Sequence, residues 1–166
     1  MKRENEIISA SCRSRLQTQG YLNLSDQELL EHRFGIRLAY WMCSILAIGA
    51  LVAGNFWFVL AVAMIAFLAT IPPYHPVDYI YNYGVRQLLG KSKLPPRTNQ
   101  ARFACGIASV WLVATAYFIA NGQTVTGNIL GFSLVAVGLL VASTDICIPS
   151  MMYNFLFLRN KVKQQG

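Results

Sequence analysis

The chain has 166 residues, 55% of them hydrophobic and only 13% charged, with a formal net charge of +7. Soluble domains carry roughly a quarter charged residues, so a water-soluble fold of this size would lack the charge to cover its surface. The basic excess does not indicate nucleic acid, because the cations flank apolar runs and no basic-aromatic recognition module accompanies them.

Residues 1–24 read as an N-terminal cytoplasmic segment. The first twenty carry Glu4 and Glu6 and no sustained apolar run, so they are not a secretory signal. Cys12 in Ser9-Ala10-Ser11-Cys12 follows only Ile7-Ile8 as an apolar stretch, which excludes a lipoprotein cleavage site. Ser25-Asp26-Gln27-Glu28 is a capping box, with Leu24 and Leu29 placed as its hydrophobic staple. The helix it starts leads into a first span at about 36–53. Gly54-Asn55 turns the chain into a second span at about 56–71, stopped by Pro72-Pro73.

After Pro76 an interfacial helix is expected over about 77–89. Val77, Ile80, Tyr81, Gly84, Val85, Leu88 and Leu89 follow helical spacing, Asp78, Asn82 and Arg86 occupy another face, and Gly90 ends the run. Residues 91–100, with Pro95-Pro96, read as a loop. A third span covers about 104–120 and a fourth about 127–144, separated by a turn that begins at Asn121-Gly122. Pro149 then opens a second interfacial helix at about 149–159, with Arg159 and Lys161 reaching the headgroups, followed by a basic tail at 161–166. In lipid only helices and closed barrels satisfy their backbones, and these runs lack the alternation of barrel strands.

The basic residues fall in three segments. Lys2, Arg3, Arg13, Arg15, Arg33 and Arg37 precede the first span. Arg86, Lys91, Lys93, Arg97 and Arg102 lie between the second and third, and Arg159, Lys161 and Lys163 follow the fourth. All 14 therefore lie on one side, and the positive-inside rule puts that side, with both termini, in the cytoplasm.

The chain also matches itself. Arg33-Phe34, Trp41 and Asn55 in the first half correspond to Arg102-Phe103, Trp111 and Asn121 in the second. Pro76 with Tyr81-Asn82 corresponds to Pro149 with Tyr153-Asn154. The expected fold is thus an all-α membrane protein of four transmembrane helices. They form two parallel helix-hairpin repeats, each followed by a cytoplasmic-side interfacial helix.

Candidate chemistry gathers at the inner ends of the spans. Cys105 opens the third span and Cys147 closes the fourth, with Asp145 and His75 in the same layer; Cys43 lies in the inner half of the first. A thiolate near basic side chains is a nucleophile, whereas a thiol buried between helices is a packing residue. No Cys-x-x-Cys is present, and a lone His with scattered Cys is a poor zinc signature. Asp145 is expected to pair with Arg102, and His75 to cap a helix or meet a headgroup. Arg33, Arg102, Asp78, Asn82, Arg86, Pro149, Tyr153 and Asn154 are expected structural or interface residues. Ala39, Cys43 and Ala47, Gly127 and Gly131, and Gly138 and Ala142 have the small-residue spacing of helix contacts.

The stretch from His75 to Arg86, HPVDYIYNYGVR, resembles an uncharacterised bacterial integral membrane domain of four helices, a domain of unknown function. So do Leu94-Pro95-Pro96, Arg102-Phe103-Ala104-Cys105-Gly106 and Asp145-Ile146-Cys147-Ile148-Pro149-Ser150. The resemblance covers about residues 33–157. It implies the bacterial inner membrane and an association with thioredoxin-like or rhodanese-like partners, which would favour Cys105 and Cys147 as working thiols. It brings no reaction and no cofactor. The leading expectation is a non-enzymatic accessory or scaffold subunit acting through its cytoplasmic face. A thiol or sulfur transfer protein using Cys105 and Cys147, and a small-solute carrier formed by an oligomer, are the alternatives.

Overall fold

The computed structural model describes residues 8–71 and 73–158, and every described element is helical. The readings made of Lys2, Arg3, Glu4, Glu6, Pro72, Arg159, Lys161, Lys163 and the 161–166 tail lie outside the described residues. Helix α1 spans Ala10–Thr18, α2 Asp26–Val52 and α3 Phe56–Leu68. A short α4, Pro76–Ile80, passes through a π-helical turn, Tyr81–Val85, into α5, Arg86–Leu89. Helices α6, Asn99–Ala120, and α7, Thr124–Thr144, follow. The short α8, Ile148–Tyr153, leads into a second π-helical turn, Asn154–Leu158.

Helices α2, α6 and α7 are long and apolar enough to cross a membrane. Helix α3 is apolar but has 13 residues, about 20 Å at 1.5 Å per residue. It ends at Leu68, short of the expected 71, because Ile71 precedes a proline and is steered away from helical backbone. Helix α6 starts five residues before its apolar run, where the Thr98 side chain accepts from the Ala101 N–H. The capping box of Ser25 and Glu28 is present as expected. Helix α1 lies in the segment read only as a cytoplasmic extension; Ser9 caps it by accepting from the Cys12 N–H.

Polar and apolar positions are distributed in the reverse of a soluble fold. Along α4 to α5 the stripe of Asp78 and Asn82 is buried against the protein, whereas Ile80, Tyr83 and Leu88 are exposed. Val52, Trp57, Val110 and Ile129 on the long helices and α3 are exposed too. Such a surface suits hydrocarbon and is unfavourable in water.

Helix α2 packs on α7, and α6 packs on both α3 and α7. Close approach requires glycine on α7. A Cβ at Gly131 would lie 2.4 Å from Leu51 Cδ2, and one at Gly127 2.5 Å from Ile119 Cγ1 and 3.2 Å from the Thr115 carbonyl oxygen. The bundle core joins Ala47, Leu51, Val59, Ala63, Leu112 and Val135. A second core at one end of the bundle joins α1 to the rest through Cys12, Leu16, Tyr21, Leu29, Tyr81 and Leu94. Helix α1 leaves this contact through Gly20 at φ +94°, where a Cβ would lie 2.4 Å from Gln100 Oε1.

Candidate functional site

The N-terminus of α2, the C-terminus of α3, the N-terminus of α6 and the C-terminus of α7 meet at one end of the bundle. A polar cluster there surrounds Asp145. It is 2% exposed and holds φ 63°, a left-handed conformation that turns the chain sharply out of α7. Arg37 donates to its carboxylate through Nε and Nη2, both at 2.6 Å, and Arg33 Nε donates at 2.9 Å. Arg37 Nη2 and Arg15 Nη1 donate to the carbonyls of Ser143 and Thr144, which the helix end leaves without intrahelical partners. Gln19 Nε2 donates to the Asp145 carbonyl, and the Cys12 thiol lies 3.7 Å from the carboxylate.

The expected Asp145–Arg102 pair is therefore corrected. Arg102 donates from Nε to the Thr70 carbonyl at 2.7 Å and from Nη2 to the Ile71 carbonyl at 2.8 Å, closing the end of α3. The reason is helix order: α7 presents its terminus to α2, and α6 presents its first turn to α3. Each arginine meets the chain end nearest to it.

A second cluster lies under the loop between α5 and α6. Arg97 and Asp78 form a two-bond ion pair, at 2.7 and 2.6 Å, between side chains that are 6% and 1% exposed. Asp78 also accepts from the His75 N–H, and His75 Nδ1 accepts from the Val77 N–H, so the two residues form a reciprocal cap on α4. Arg97 sits over the Tyr40 ring at 5.8 Å, and its backbone N–H donates to the Pro73 carbonyl. Asn82 Oδ1 accepts from the Leu94 N–H, which holds the loop against the π-helical turn after α4.

The cap fixes the histidine tautomer. With Nδ1 accepting, a neutral imidazole carries its proton on Nε2. Burial, followed by the neighbouring Arg97 charge, pulls His75 down to about 4, so the ring is neutral near pH 7. Its Nε2–H then faces Cys43 Sγ, 3.5 Å away. His75 is a donor to that sulfur and is not available as a base toward it.

Beyond His75 lies a small cavity of about 120 Å³ between α2, α6 and α7. Cys43, Cys105 and Cys147 all line it, together with His75, Arg97 and Tyr40. All four cysteines are free thiols. Cys147 is buried, which pushes its thiol up, although hydrogen bonding with Ser150 works in the opposite direction. The described residues contain no group of three or more His, Cys, Asp or Glu able to hold a metal ion.

Of the expected site residues, the fold brings Cys105, Cys147 and His75 together and excludes Asp145. The positive φ of Asp145 carries its side chain to α1 and α2, whereas Cys147, two residues later, faces the cavity. Pro149, in the first turn of α8, also lines it. Asn154 donates to the Thr18 carbonyl and accepts from Gln100, tying the π-helical turn after α8 to α1 and α6. Tyr153 meets Phe103 edge-on and Phe157 at a tilt, and Arg86 donates to the Asn82 carbonyl. From sequence, Cys43 reads as an inner-end cysteine at packing spacing outside the favoured Cys105 and Cys147 pair, and Arg97 only as one of the flanking cations. The one available signal was the Asp78 carboxylate, which needs a cation when buried.

Residues 33–157 match the family described as Domain of unknown function (DUF4395). No curated protein and no solved structure matches the chain.

Proposed function

Because this chain belongs to the DUF4395 family, a domain of unknown function, we propose a role from its own geometry: a membrane-embedded thiol protein that exchanges electrons or sulfur at its basic end. One observation carries the reading. Cys43, Cys105, Cys147 and His75 come from four separate places in the sequence and converge on one cavity, with an imidazole N–H aimed at one of the sulfurs. A fixed N–H donor stabilises a thiolate over a thiol, which is what an attacking or departing sulfur requires. In the exchange, a thiolate of the site attacks the disulfide of a thioredoxin-like partner, forming a mixed disulfide and releasing one partner thiolate. A second site thiol then displaces the other. Two electrons pass to the partner and two protons leave the site, which ends as one disulfide. A rhodanese-like partner would instead hand over a persulfide sulfur.

The setting we propose is the bacterial inner membrane, with four spans and the basic end cytoplasmic. Helix α3 completes the count, because its C-terminus reaches Arg102 at the same end as the other cations. Two parallel repeats are supported by the crossed pairing of α2 with α7 and α6 with α3. Each half also ends in a proline-led short helix running into a π-helical turn.

Trapping tests the exchange. Native membranes carrying Cys43→Ser, Cys105→Ser or Cys147→Ser singly are run on non-reducing gels. Removal of the resolving thiol leaves a partner attached through a bond that dithiothreitol releases. If none of the three forms an adduct, and the wild-type thiols survive partner disulfides unchanged, the exchange reading fails.

A second reading, a non-enzymatic accessory subunit acting through its cytoplasmic face, is favoured by the burial of Cys147, since structural buried cysteines are inert. It predicts full partner binding by a triple Cys→Ser variant in gently solubilised membranes.

A further inference from the structure

The bundle carries a second concavity, independent of the thiol cavity: an open groove of about 1010 Å³ along one side of α6, bounded by α3, α7 and α8. Its floor at the basic end is polar, formed by Thr70, Asn99, Arg102 and Tyr153. Further along α6 it is apolar, past Val110 to Trp111 and Ala114. From Arg102 to Ala114 the helix rises about 18 Å at 1.5 Å per residue, enough to run from headgroup level past the middle of a ~30 Å core.

We propose that this groove binds one anionic phospholipid, its phosphate at Arg102 and an acyl chain along α6 toward Trp111. Two observations carry the assignment. The first is charge. Arg33 and Arg37 share the Asp145 carboxylate, but Arg102 donates two hydrogen bonds to backbone carbonyls, and no carboxylate accepts from it among the described residues. A guanidinium has five N–H donors in a planar fork suited to phosphate oxygens, so the carbonyls leave part of that fork and all of its charge for a ligand. The second is Gly106. A glycine inside a helix is less favourable than alanine, and close packing does not demand this one. A Cβ there would meet only Thr70 Cγ2, at an ordinary 3.6 Å. The missing side chain serves to deepen the groove. Gly127 and Gly131 differ, because neighbouring helices fill the space above them. Lipid fits the groove better than a second copy of this chain, whose corresponding end is also basic.

Trp111 lines the groove and reports its occupant. In a Trp41→Phe/Trp57→Phe background, the protein is reconstituted into phosphatidylcholine vesicles doped with brominated phosphatidylglycerol or brominated phosphatidylcholine. The expected result is stronger Trp111 quenching by the anionic lipid at equal mole fraction. Arg102→Gln lowers that preference about fivefold, the value of one cation near an anionic surface, and Arg102→Lys largely restores it. Gly106→Leu fills the groove and reduces quenching by both lipids while thermal stability is kept. Equal quenching by the two lipids would overturn the proposal. So would an unchanged preference in Arg102→Gln, or a stable dimer that shields Trp111 from both.

Discussion

Replacing one half of the buried Asp78–Arg97 pair should cost more than replacing both. The two side chains are 1% and 6% exposed and joined by bonds of 2.6 and 2.7 Å, so little water screens them. Asp78→Asn keeps an oxygen for the His75 N–H but strands the Arg97 cation, at a cost of about 3–5 kcal/mol. For a chain of this length each kcal/mol moves the melting temperature by about 2–4 °C, giving a drop of about 6–20 °C. Arg97→Met strands the carboxylate and should cost a similar amount. The Asp78→Asn/Arg97→Met double variant removes both charges, and a buried pair exchanged whole for neutral groups is often close to neutral. Thermal unfolding in mild detergent should therefore place the double variant above both single variants. A loss in the double variant equal to the sum of the two singles would show that the pair is uncoupled, and would refute the burial argument.

Other expectations follow from the same contacts. His75 sits at about 4 in the fold against 6.5 ordinarily, so the unfolded chain protonates first as pH falls. Stability should be full above pH about 6.5, decline toward pH about 4 and then level off, a loss on the order of 3 kcal/mol. His75→Asn, which keeps the cap acceptor, should flatten that part of the stability–pH curve, and an unchanged curve would contradict the assignment. Asp145→Asn keeps a residue that tolerates positive φ but leaves Arg33 and Arg37 facing each other. Limited proteolysis between residues 9 and 24 should quicken, at a stability cost of about 1–3 kcal/mol. Gly127→Ala should destabilise by about 1–3 kcal/mol by pressing on Ile119 and the Thr115 carbonyl. Gly49→Ala, with nothing within 4 Å, should not lower the melting temperature.

The sequence carried the elements well, because the signals for spans are local: apolar runs between prolines, glycines and capping residues. The Ser25–Glu28 capping box and the Gly90 stop, at φ 60°, lie where composition placed them. Neighbour relations were not legible. Nothing along the chain says that α2 packs on α7, so the sequence pairs Asp145 with Arg102 in the first turn of α6, and its actual partners Arg33 and Arg37 are not legible. Cys43 shares spacing with Ala39 and Ala47, which disguised a site residue as a packing one. Helix α1 is not legible because its faces are not segregated into polar and apolar, and the contacts that hold it come from Tyr21, just past its end, and from Leu94 and Gln100, far along the chain.

The proposed exchange depends most on the imidazole N–H that faces the Cys43 sulfur. In a protein reduced to that thiol by Cys12→Ser, Cys105→Ser and Cys147→Ser, alkylation by N-ethylmaleimide in native membranes reads its thiolate share. Asparagine at position 75 keeps the acceptor for the Val77 N–H and has no donor that reaches the sulfur; glutamine places an amide N–H near where Nε2 was. Alkylation should be about tenfold slower in His75→Asn, with His75→Gln close to the wild-type rate. Equal rates in all three would contradict it.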